Sequence, residues 1–590
     1  MAISTKHEAS AERGPILDRT GRFLAIQSRF ADVSVWKPSI SVYGRKPDLT
    51  ANIDDLSNEL APILEMSPAE IREKITSSKS NFIYLKKQID DSAAKRLSSA
   101  LNEKKIGGVN IESIVGRIYP QKNLASQIIG FVGEGNVGLE GIEYEFDDIL
   151  AGTENNGNGS HVILTIDANV QYILERIARQ TMNETGAEAV MLLAMDPRTG
   201  DILGSASVPD FDPNNFRDYD EVRRVNRPVI WSYEPGSVFK IFSLAALIDS
   251  GAISENSVFI CNGAYERVTN RGERISIKCL GIHGRVSPRE IIIHSCNAGA
   301  AHASDQLSGS IFHDLLADFG FGSSTGVGSP GETTGFLRRS DSWSERSKPT
   351  IAIGQEIAVS AYQMIQAASA IANDGVLVPP RIISKIVSND GTVINWENSP
   401  SRRVIKAETA RNLRSYMVDV TSNIGTGWRA AVDDMSLAVK TGTAELIDPV
   451  TKKYSDTDFI ASCIALLPAE SPSLILYLAI IKPKGEIFGG RIAAPAIRET
   501  AESLIDYLGI LRGRNELISH PFAVNIPTNR LPPIRDRLPD YSGIAKRLLL
   551  PLLLYDDINF EIQGDGWVRY QDPPAGTPIT DGMTVVLYLE

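Results

Sequence analysis

The alternation of apolar and polar residues places strands at both ends of the middle of the chain, with helices between them. Apolar runs at 187–195 and 201–207, joined by an Asp-Pro-Arg-Thr-Gly turn, predict an antiparallel hairpin. A long, largely helical stretch follows it, and a helix over 493–508 closes the segment. Three further strand patterns precede that closing helix, at 437–444, 459–467 and 474–482. This order predicts one antiparallel sheet that is built from both ends of the segment and covered by helices.

The segments on either side have different patterns. The first mixes short strands and helices, and over 47–106 charged residues alternate with Leu, Ile and Ala at helical spacing. Asp167 is the predicted N-cap of an amphipathic helix that runs to about Thr185. At the far end, a proline-rich linker precedes a small α+β unit with a helix over 544–555 and two strands. We therefore expect domains at residues 1–160, 161–512 and 536–590, with a linker at 513–535.

Composition and charge narrow the classes of function. The chain has 590 residues, 43% apolar and 22% charged, which is ordinary for a globular protein and excludes wholesale disorder. The net charge of -12 argues against a general nucleic-acid binder, whose surface is basic. Four cysteines are too few for a disulfide framework. No run of 18 apolar residues occurs, so the sequence predicts no transmembrane helix within itself.

The segment 233–248 contains the first candidate chemistry. A Pro-Gly pair precedes a helix that is apolar nearly all round, which predicts a buried helix ending before Gly251. Ser237 lies in its first turn, and Lys240 lies three residues on, on the same face. Burial lowers the pKa of a lysine, and a neutral amine beside a serine hydroxyl can act as the base for a nucleophile. The plain alternative is that Ser237 caps the helix and Lys240 extends to the surface, since Ser-x-x-Lys alone is common.

A second candidate segment surrounds a short helix. Ser287 with Glu290 predicts a capping box at its start. Because the helix is short and apolar, it projects Ser295 and Asn297 from its end, where the two side chains can face one cleft. Taken alone, the pair is explained more simply by a C-cap followed by a local Asn turn.

The third candidate segment lies on the first of the three late strands. Lys440 adds positive charge, Thr441 and Thr443 add hydroxyls, and Gly442 permits another backbone to approach closely. Together these groups suit the carboxylate of a peptide that lies along the strand. An isolated Lys-Thr-Gly is a weak signal, and an ordinary edge strand would account for it.

The three segments in this order form a specific signal. They resemble the Ser-x-x-Lys, Ser-x-Asn and Lys-Thr-Gly motifs of the penicillin-recognising serine enzymes, with Cys296 at the variable central position of the second motif. Further segments sharpen the resemblance to class B penicillin-binding proteins and cover nearly the whole chain. They lie at 13–21, 117–120, 138–143, 226–227, 233–236, 354–355, 372–375, 425–427 and 493–495. The C-terminal unit resembles a PASTA domain, with matching segments at 538–543 and 568–576.

This resemblance implies D,D-transpeptidation of peptidoglycan. Ser237 would attack the D-Ala-D-Ala carbonyl of a stem peptide, Lys240 would take the serine proton, and an amine of a neighbouring stem peptide would resolve the acyl-enzyme. β-Lactams would acylate the same serine. The implied proton-transfer and orienting residues are Ser295, Asn297 and Lys440, and the implied substrate-binding residues are Thr441, Gly442 and Thr443. By the family pattern, the backbone N–H groups of Ser237 and Thr443 form the oxyanion hole.

The resemblance also implies a fold and a cellular setting. The fold is multidomain α+β: an N-terminal pedestal, a transpeptidase domain with an all-helical subdomain, and the PASTA domain. Expected partners are peptidoglycan stem peptides, β-lactams, a polytopic membrane glycosyltransferase and divisome proteins, with no cofactor and no nucleic acid. Such enzymes are held in the cytoplasmic membrane by one helix ahead of the first motif, with the catalytic domain outside. Only polar residues 1–12 precede that motif here, so we expect the helix to be missing from this sequence. The pattern favours a role in division over side-wall synthesis.

Three other functions are less consistent with the sequence. A serine β-lactamase would need neither the N-terminal segment nor the C-terminal unit. A bifunctional class A enzyme would carry a glycosyltransferase domain, for which the first 160 residues are too short. A β-lactam sensor or a cell-wall-binding scaffold with a dead site is opposed by the intact motifs.

The cysteines have more than one interpretation. Cys261 and Cys279 flank a loop, and a location outside the cytoplasm would permit a disulfide between them. A metal site that uses them with His283 lacks the usual close ligand pairs. We therefore rank a disulfide or free thiols above a metal, and we expect no metal site.

Overall fold

The structure is a computed structural model that divides the chain into two compact units, Met1–Gly513 and Arg514–Glu590. Most of the predicted linker at 513–535 lies outside the described residues, and the predicted domain boundaries stay predictions. Among the described residues, no helix is long and apolar enough to span a membrane. The structure describes residues 12–45, 49–152, 158–397, 399–448, 451–511, 531–549, 552–553, 555, 557–564, 566–580 and 582–590.

Strands and helices alternate irregularly along the chain. The described strands β1–β21 are, in order, Ile16–Leu17, Phe23–Trp36, Phe82–Asp90, Val109–Ile118, His161–Leu164, Ala189–Met195, Ile202–Val208, Phe259–Cys261, Ala264–Val268, Arg274–Lys278, Gly284–Val286, Val376–Leu377, Ile383–Val387, Val393–Asn395, Arg402–Arg403, Ala438–Ile447, Tyr454–Leu467, Leu474–Ile481, Ile558–Gln563, Val568–Asp572 and Met583–Leu589. The described α-helices α1–α18 are, in order, Leu49–Leu64, Pro68–Ser77, Asp91–Glu103, Ser126–Ile129, Gly141–Glu145, Asp147–Ala151, Ala168–Thr185, Glu221–Arg224, Arg227–Ile230, Lys240–Asp249, Pro288–Ile293, Asn297–Ser304, Gly309–Asp318, Ser347–Ile351, Ala361–Ala372, Ala407–Val418, Gly489–Leu508 and Lys546–Leu549.

A five-stranded sheet joins the two ends of the middle segment. Its order is β16-β17-β18-β6-β7, and every neighbouring pair is antiparallel. This confirms the sheet predicted from the apolar pattern. Helices α7 and α17 pack against it, and the carboxylate of Asp167 accepts hydrogen bonds from the first turn of α7, as its predicted N-cap role requires. Strand β16 lies at the edge of the sheet, where one side of its backbone is free to meet another chain.

Helix α10 lies in the core beside this sheet. Its residues Lys240–Leu247 are all buried, as the apolar pattern predicts. The preceding turn, Gly236–Phe239, is a 3₁₀ helix, so Ser237 lies just before the α-helix and not within it. Aromatic packing around Phe242, which contacts Phe239, Phe319 and Phe321, fixes the helix in place.

The N-terminal region contains a second sheet and a core of its own. Strand β2 pairs with both β3 and β4, and β1 pairs with β5, so one seven-stranded sheet takes strands from both sides of residue 160. Helices form over much of 47–106, as predicted, but β3 interrupts them. Its buried residues Leu85 and Ile89 are four apart, a spacing that fits a helix as well as one face of a strand, so the sequence pattern does not separate the two. The strand also bulges at Gln88, which has φ 55°.

Three of the N-terminal motifs meet in a buried ion network. The carboxylate of Glu143 accepts hydrogen bonds from Arg13 Nε at 2.8 Å and from Arg117 Nε at 2.6 Å. Arg13 also contacts Asp147 at 2.6 Å, and Arg117 donates to the carbonyl of Gly14 at 2.9 Å. Glu143 is fully buried, and within the described residues these two guanidinium groups balance its charge.

The second unit is a small α+β fold with a separate core. Strand β21 lies between β19, which is parallel to it, and β20, which is antiparallel. The sequence pattern predicts two strands, and this is wrong: Gly564 and Gly566, both at positive φ, divide the first predicted strand into β19 and β20. Within the predicted helix 544–555, the described residues form α18 over Lys546–Leu549.

Candidate active site

The turn before α10 presents Ser237 to a cleft and places Lys240 behind it. The Nζ atom of Lys240 lies 2.8 Å from Ser237 Oγ. Gly236 adopts φ 58°, and a Cβ there would lie 2.8 Å from the carbonyl oxygen of Thr443, so only glycine lets the turn approach β16 this closely. The amide of Gly236 donates to the carbonyl of Gly354 at 3.0 Å, which holds the other side of the turn.

The second predicted segment reaches the same lysine. The capping box of Ser287 and Glu290 forms and starts α11. Beyond that helix, Ser295 adopts φ 54°, and its Oγ lies 3.3 Å from Lys240 Nζ while its carbonyl oxygen lies 2.8 Å away. Asn297 Oδ1 lies 2.5 Å from the same nitrogen. The Lys240 amine is therefore surrounded by oxygens of all three side chains and of one carbonyl.

The third predicted segment forms the opposite wall on β16. The Nζ atom of Lys440 lies 3.0 Å from Ser295 Oγ, so the two lysines share this hydroxyl. Thr441 Oγ1 donates to Thr426 Oγ1 at 2.9 Å, and Thr443 Oγ1 accepts from the amide of Gly489 at 3.2 Å. These contacts fix both threonine hydroxyls at the edge strand, beside the turn that carries Ser237.

A Cβ on Gly442 would meet two neighbours at short range. It would lie 2.6 Å from Ser462 Oγ on β17 and 2.7 Å from Val238 Cγ2 in the Ser237 turn. The glycine therefore lets β16 and the turn pack in contact, and this is the close approach that the sequence predicts at this position.

The electrostatic setting favours neutral amines. Lys240 and Lys440 are both fully buried. Burial lowers the pKa of Lys240 to about 8, against a smaller opposing effect of the thiols of Cys279 and Cys296. Burial, and then the nearby charge of Lys240, hold the pKa of Lys440 well below its usual value. A neutral Lys240 beside Ser237 Oγ can accept the hydroxyl proton.

The cleft in front of these residues has a volume of about 670 Å³. Ser237, Ser295, Asn297 and the three residues of 441–443 line it, whereas the two lysines lie behind its wall. Thr426 also lines the cleft. Its Gly-Thr-Gly motif at 425–427 is visible in the sequence, but the motif by itself does not identify the threonine as a residue of the site. Other lining residues are Lys278, Leu280, Gln355, Trp428, Arg429, Glu445, Phe459, Phe488 and Arg491.

The cysteines next to this site are reduced. All four cysteines of the chain are free thiols in the structure, so the Cys261–Cys279 disulfide that the sequence permits is not formed. Cys296 lies between Ser295 and Asn297, and its side chain points away from the cleft into the core.

The geometry defines a class of enzyme. A serine with a buried lysine base, a second lysine joined to it through a serine hydroxyl, and threonine hydroxyls on an edge strand suit acyl transfer from a peptide. Among the described residues, no histidine is hydrogen-bonded to this group, which consists of Ser237, Lys240, Ser295, Asn297 and Lys440.

Comparison with known proteins agrees with this class. The family model of the penicillin-binding protein transpeptidase domain matches residues 190–502, and that of the penicillin-binding protein dimerisation domain matches residues 8–159. Stage V sporulation protein D of Bacillus subtilis is 31% identical, over 98% of this chain and 90% of its own. The probable peptidoglycan D,D-transpeptidase PenA of Neisseria gonorrhoeae is 28% identical, over 85% of each chain.

A solved structure extends the agreement to the fold. Penicillin-binding protein 3 of Mycobacterium tuberculosis, in complex with aztreonam, superposes with a TM-score of 0.67 and 26% identity, over 85% of this chain and 98% of its own. The chain belongs to the class B penicillin-binding proteins. The family, fold class and transpeptidase activity predicted from the sequence are thereby confirmed.

Proposed function

We propose that Ser237 is the nucleophile of this transpeptidase and that Lys240 is the base that removes its proton. The observation that carries the proposal is the 2.8 Å separation of Lys240 Nζ from Ser237 Oγ at a fully buried amine. The lowered pKa of that amine supports the same assignment, because only the neutral form can take a proton.

In the acylation step, the stem peptide lies along β16 with its terminal carboxylate on the hydroxyls of Thr441 and Thr443. Ser237 Oγ forms a bond to the D-Ala-D-Ala carbonyl carbon, and its proton passes to Lys240. The peptide C–N bond then breaks, and the proton on Lys240 passes to the leaving D-alanine amine through Ser295, whose hydroxyl lies 3.3 Å from Lys240 Nζ and 3.0 Å from Lys440 Nζ, so Lys240 is neutral again. The serine ester of the shortened peptide remains.

In the second step, the amine of a neighbouring stem peptide attacks the ester. Its proton passes to Lys240, a new amide bond forms, and Ser237 leaves with a proton returned by the lysine. The backbone N–H groups of Ser237 and Thr443 form the oxyanion hole in both steps, and such donors contribute about 3–4 kcal/mol to the transition state. Gly442 between them allows the approach that brings the two amides together.

A D-alanine release assay tests these roles. With a donor pentapeptide and an acceptor amine, the protein should release D-alanine and form the cross-linked amide. Ser295→Ala should lower the rate by about 10²–10⁴-fold because the proton path to the leaving amine is lost. Ser324→Ala, at an exposed serine outside the cleft, is the matched control. Equal rates for the two variants would contradict the assigned role of Ser295.

The cellular role that we propose is septal peptidoglycan synthesis. It is supported by the Gly-Leu-Glu-Gly-Ile-Glu pattern at 138–143 and by the PASTA-like sequence of the C-terminal unit. In this role the protein is held in the cytoplasmic membrane by a single helix, its catalytic domain lies outside, and its partners are a polytopic glycosyltransferase and divisome proteins. Depletion in the native host should give filaments without septa. Round cells that still divide would assign it to side-wall synthesis instead.

A further inference from the structure

Four side chains with metal-binding atoms meet beside the active-site cleft, and one of them, Cys279, lines it. They are Cys261, Cys279, His283 and Cys296, and their ligand atoms all lie within 4.8 Å of one another. Cys261 and Cys296 are buried, and the other two are half-buried. None of the four has a role in the transpeptidation described above.

The β9–β10 hairpin, the strand pair β8–β11 that encloses it and a helix bring these residues together. Cys261 ends β8, and the residue paired with it on β11 is Gly284, which directly follows His283. Cys279 directly follows β10, and Cys296 is the N-cap of α12. Cys279 and His283 therefore lie four residues apart in the loop between β10 and β11, and Cys261 and Cys296 come from other elements that fold onto the same point.

Three of the six distances between the ligand atoms are close to the edges of a tetrahedron around zinc, and all six are 4.8 Å or less. His283 Nδ1 lies 3.4 Å from Cys261 Sγ and 3.5 Å from Cys279 Sγ, and Cys279 Sγ lies 3.8 Å from Cys296 Sγ. A zinc ion with Zn–S bonds of about 2.3 Å and Zn–N bonds of about 2.0–2.1 Å has tetrahedral edges of about 3.8 Å for S–S and about 3.6 Å for S–N. A disulfide would require about 2.05 Å between the sulfurs.

The surroundings of the sulfurs suit thiolates. The amide of Asn297 donates to Cys279 Sγ at 3.3 Å, and the amide of Gly299 donates to Cys296 Sγ at 3.2 Å. The ring of His294 stacks on His283 with centroids 5.4 Å apart, which fixes the plane of the imidazole. Metal sites in proteins have such outer contacts, which orient the ligands.

We propose that Cys261, Cys279, His283 and Cys296 bind one Zn²⁺ ion in a structural site. Three thiolates and one imidazole in tetrahedral arrangement select zinc among the common divalent ions. Four protein ligands fill the coordination sphere, so the ion takes no part in the acyl transfer.

The zinc site positions the second catalytic motif. Cys296 lies between Ser295 and Asn297, and the amide of Asn297 is bound to Cys279 Sγ. The side chain of Asn297 is bound to the end of β10, because its Nδ2 donates a hydrogen bond to the carbonyl of Lys278 at 2.9 Å. A metal that fixes Cys279 and Cys296 therefore also fixes the turn that presents Ser295 at φ 54° to both lysines.

Metal analysis of the full chain tests the proposal. Protein purified under reducing conditions, without added chelator, should contain about one zinc per chain by elemental mass spectrometry. Cys279→Ser and His283→Ala should each lose that zinc. Cys463→Ala is the matched control, because Cys463 is a buried free thiol on β17 outside the cluster, and it should retain the zinc. Cobalt added to chelator-stripped wild-type protein should give the visible absorption of a tetrahedral thiolate complex, a readout that needs no variant to fold.

The outcomes separate the alternatives. Wild-type protein that is zinc-free as isolated and takes up neither zinc nor cobalt after reduction overturns the proposal. Zinc that is retained equally in Cys279→Ser also overturns it, because the ion then lies elsewhere. A Cys279–Cys296 disulfide that reforms in the presence of excess zinc shows a redox pair in place of the metal site.

The positioning role rests on the proposed function and has its own measurement. Removal of zinc from the wild type should slow acylation by a penicillin, and added zinc should restore the rate. An unchanged rate in zinc-free protein would contradict the positioning role. It would not contradict the existence of the zinc site. A failure of Ser237 to be acylated even in zinc-loaded protein would count against the proposed function and not against the zinc site.

Discussion

The Lys240 amine decides how the nucleophile is activated. It lies within hydrogen-bonding distance of Ser237, Ser295 and Asn297, yet no carboxylate is among its hydrogen-bond partners in the described part of the chain. Burial without a counter-ion destabilises the ammonium form, which is why its pKa falls to about 8. Burial in the core therefore lowers the pKa of the proposed base, and no neighbouring acid is needed for it to be neutral.

This pKa makes a prediction about pH. The neutral amine is the active form, so the rate constant of acylation by benzylpenicillin should rise by about tenfold for each pH unit below the pKa of about 8, and level off above it. Stopped-flow measurement of the rate across this range checks the prediction. The Lys240→Arg variant is the control, because a guanidinium stays charged and should be inactive throughout. A rate that is independent of pH would contradict Lys240 as the base.

At this scale the sequence indicates the proposed catalytic residues but not the side chains around them. Ser237, Lys240 and Lys440 follow from short motifs whose spacing reflects the chemistry. The sulfur–imidazole cluster does not, because Cys261 and Cys296 lie on other elements and meet the Cys279–His283 loop only through the fold. Spacing rules detect close ligand pairs, and this cluster has a single one, Cys279 and His283, which are four residues apart.

At the scale of elements, the five-stranded sheet and its edge strand determine where a substrate can lie. Strand β16 is exposed to pairing along its backbone, and Gly442 keeps it in contact with the Ser237 turn. The five-stranded sheet could be predicted because its strands are apolar runs, two before and three after the helical segment. Strand β3 could not, since its two buried residues are four apart, a spacing that fits a helix as well as one face of a strand.

The ion network of the N-terminal region gives a prediction about stability. Glu143→Ala leaves the buried guanidinium groups of Arg13 and Arg117 without their shared carboxylate, which should cost about 3–5 kcal/mol of unfolding free energy. Denaturant unfolding measures this cost. Glu145→Ala, at an exposed glutamate of the same helix α5, is the control and should change stability by about 0.5 kcal/mol or less. Equal effects of the two variants would show that the network is not what holds the three motifs together.

At the scale of the whole molecule, the chain is two compact units with separate cores. All the proposed catalytic residues lie in Met1–Gly513. A chain that ends at Gly513 should therefore acylate with penicillin at the same rate as the full chain, and its thermal unfolding transition should be unchanged. Loss of acylation on truncation would show that the catalytic unit depends on Arg514–Glu590.

The central claim is that Ser237 forms the acyl-enzyme. The most direct measurement is to incubate the full chain with benzylpenicillin, digest it, and locate the adduct by tandem mass spectrometry. We predict one adduct, on Ser237, that persists for minutes and is absent from Ser237→Ala. An adduct on any other residue, or release of hydrolysed penicillin within seconds, would contradict the account.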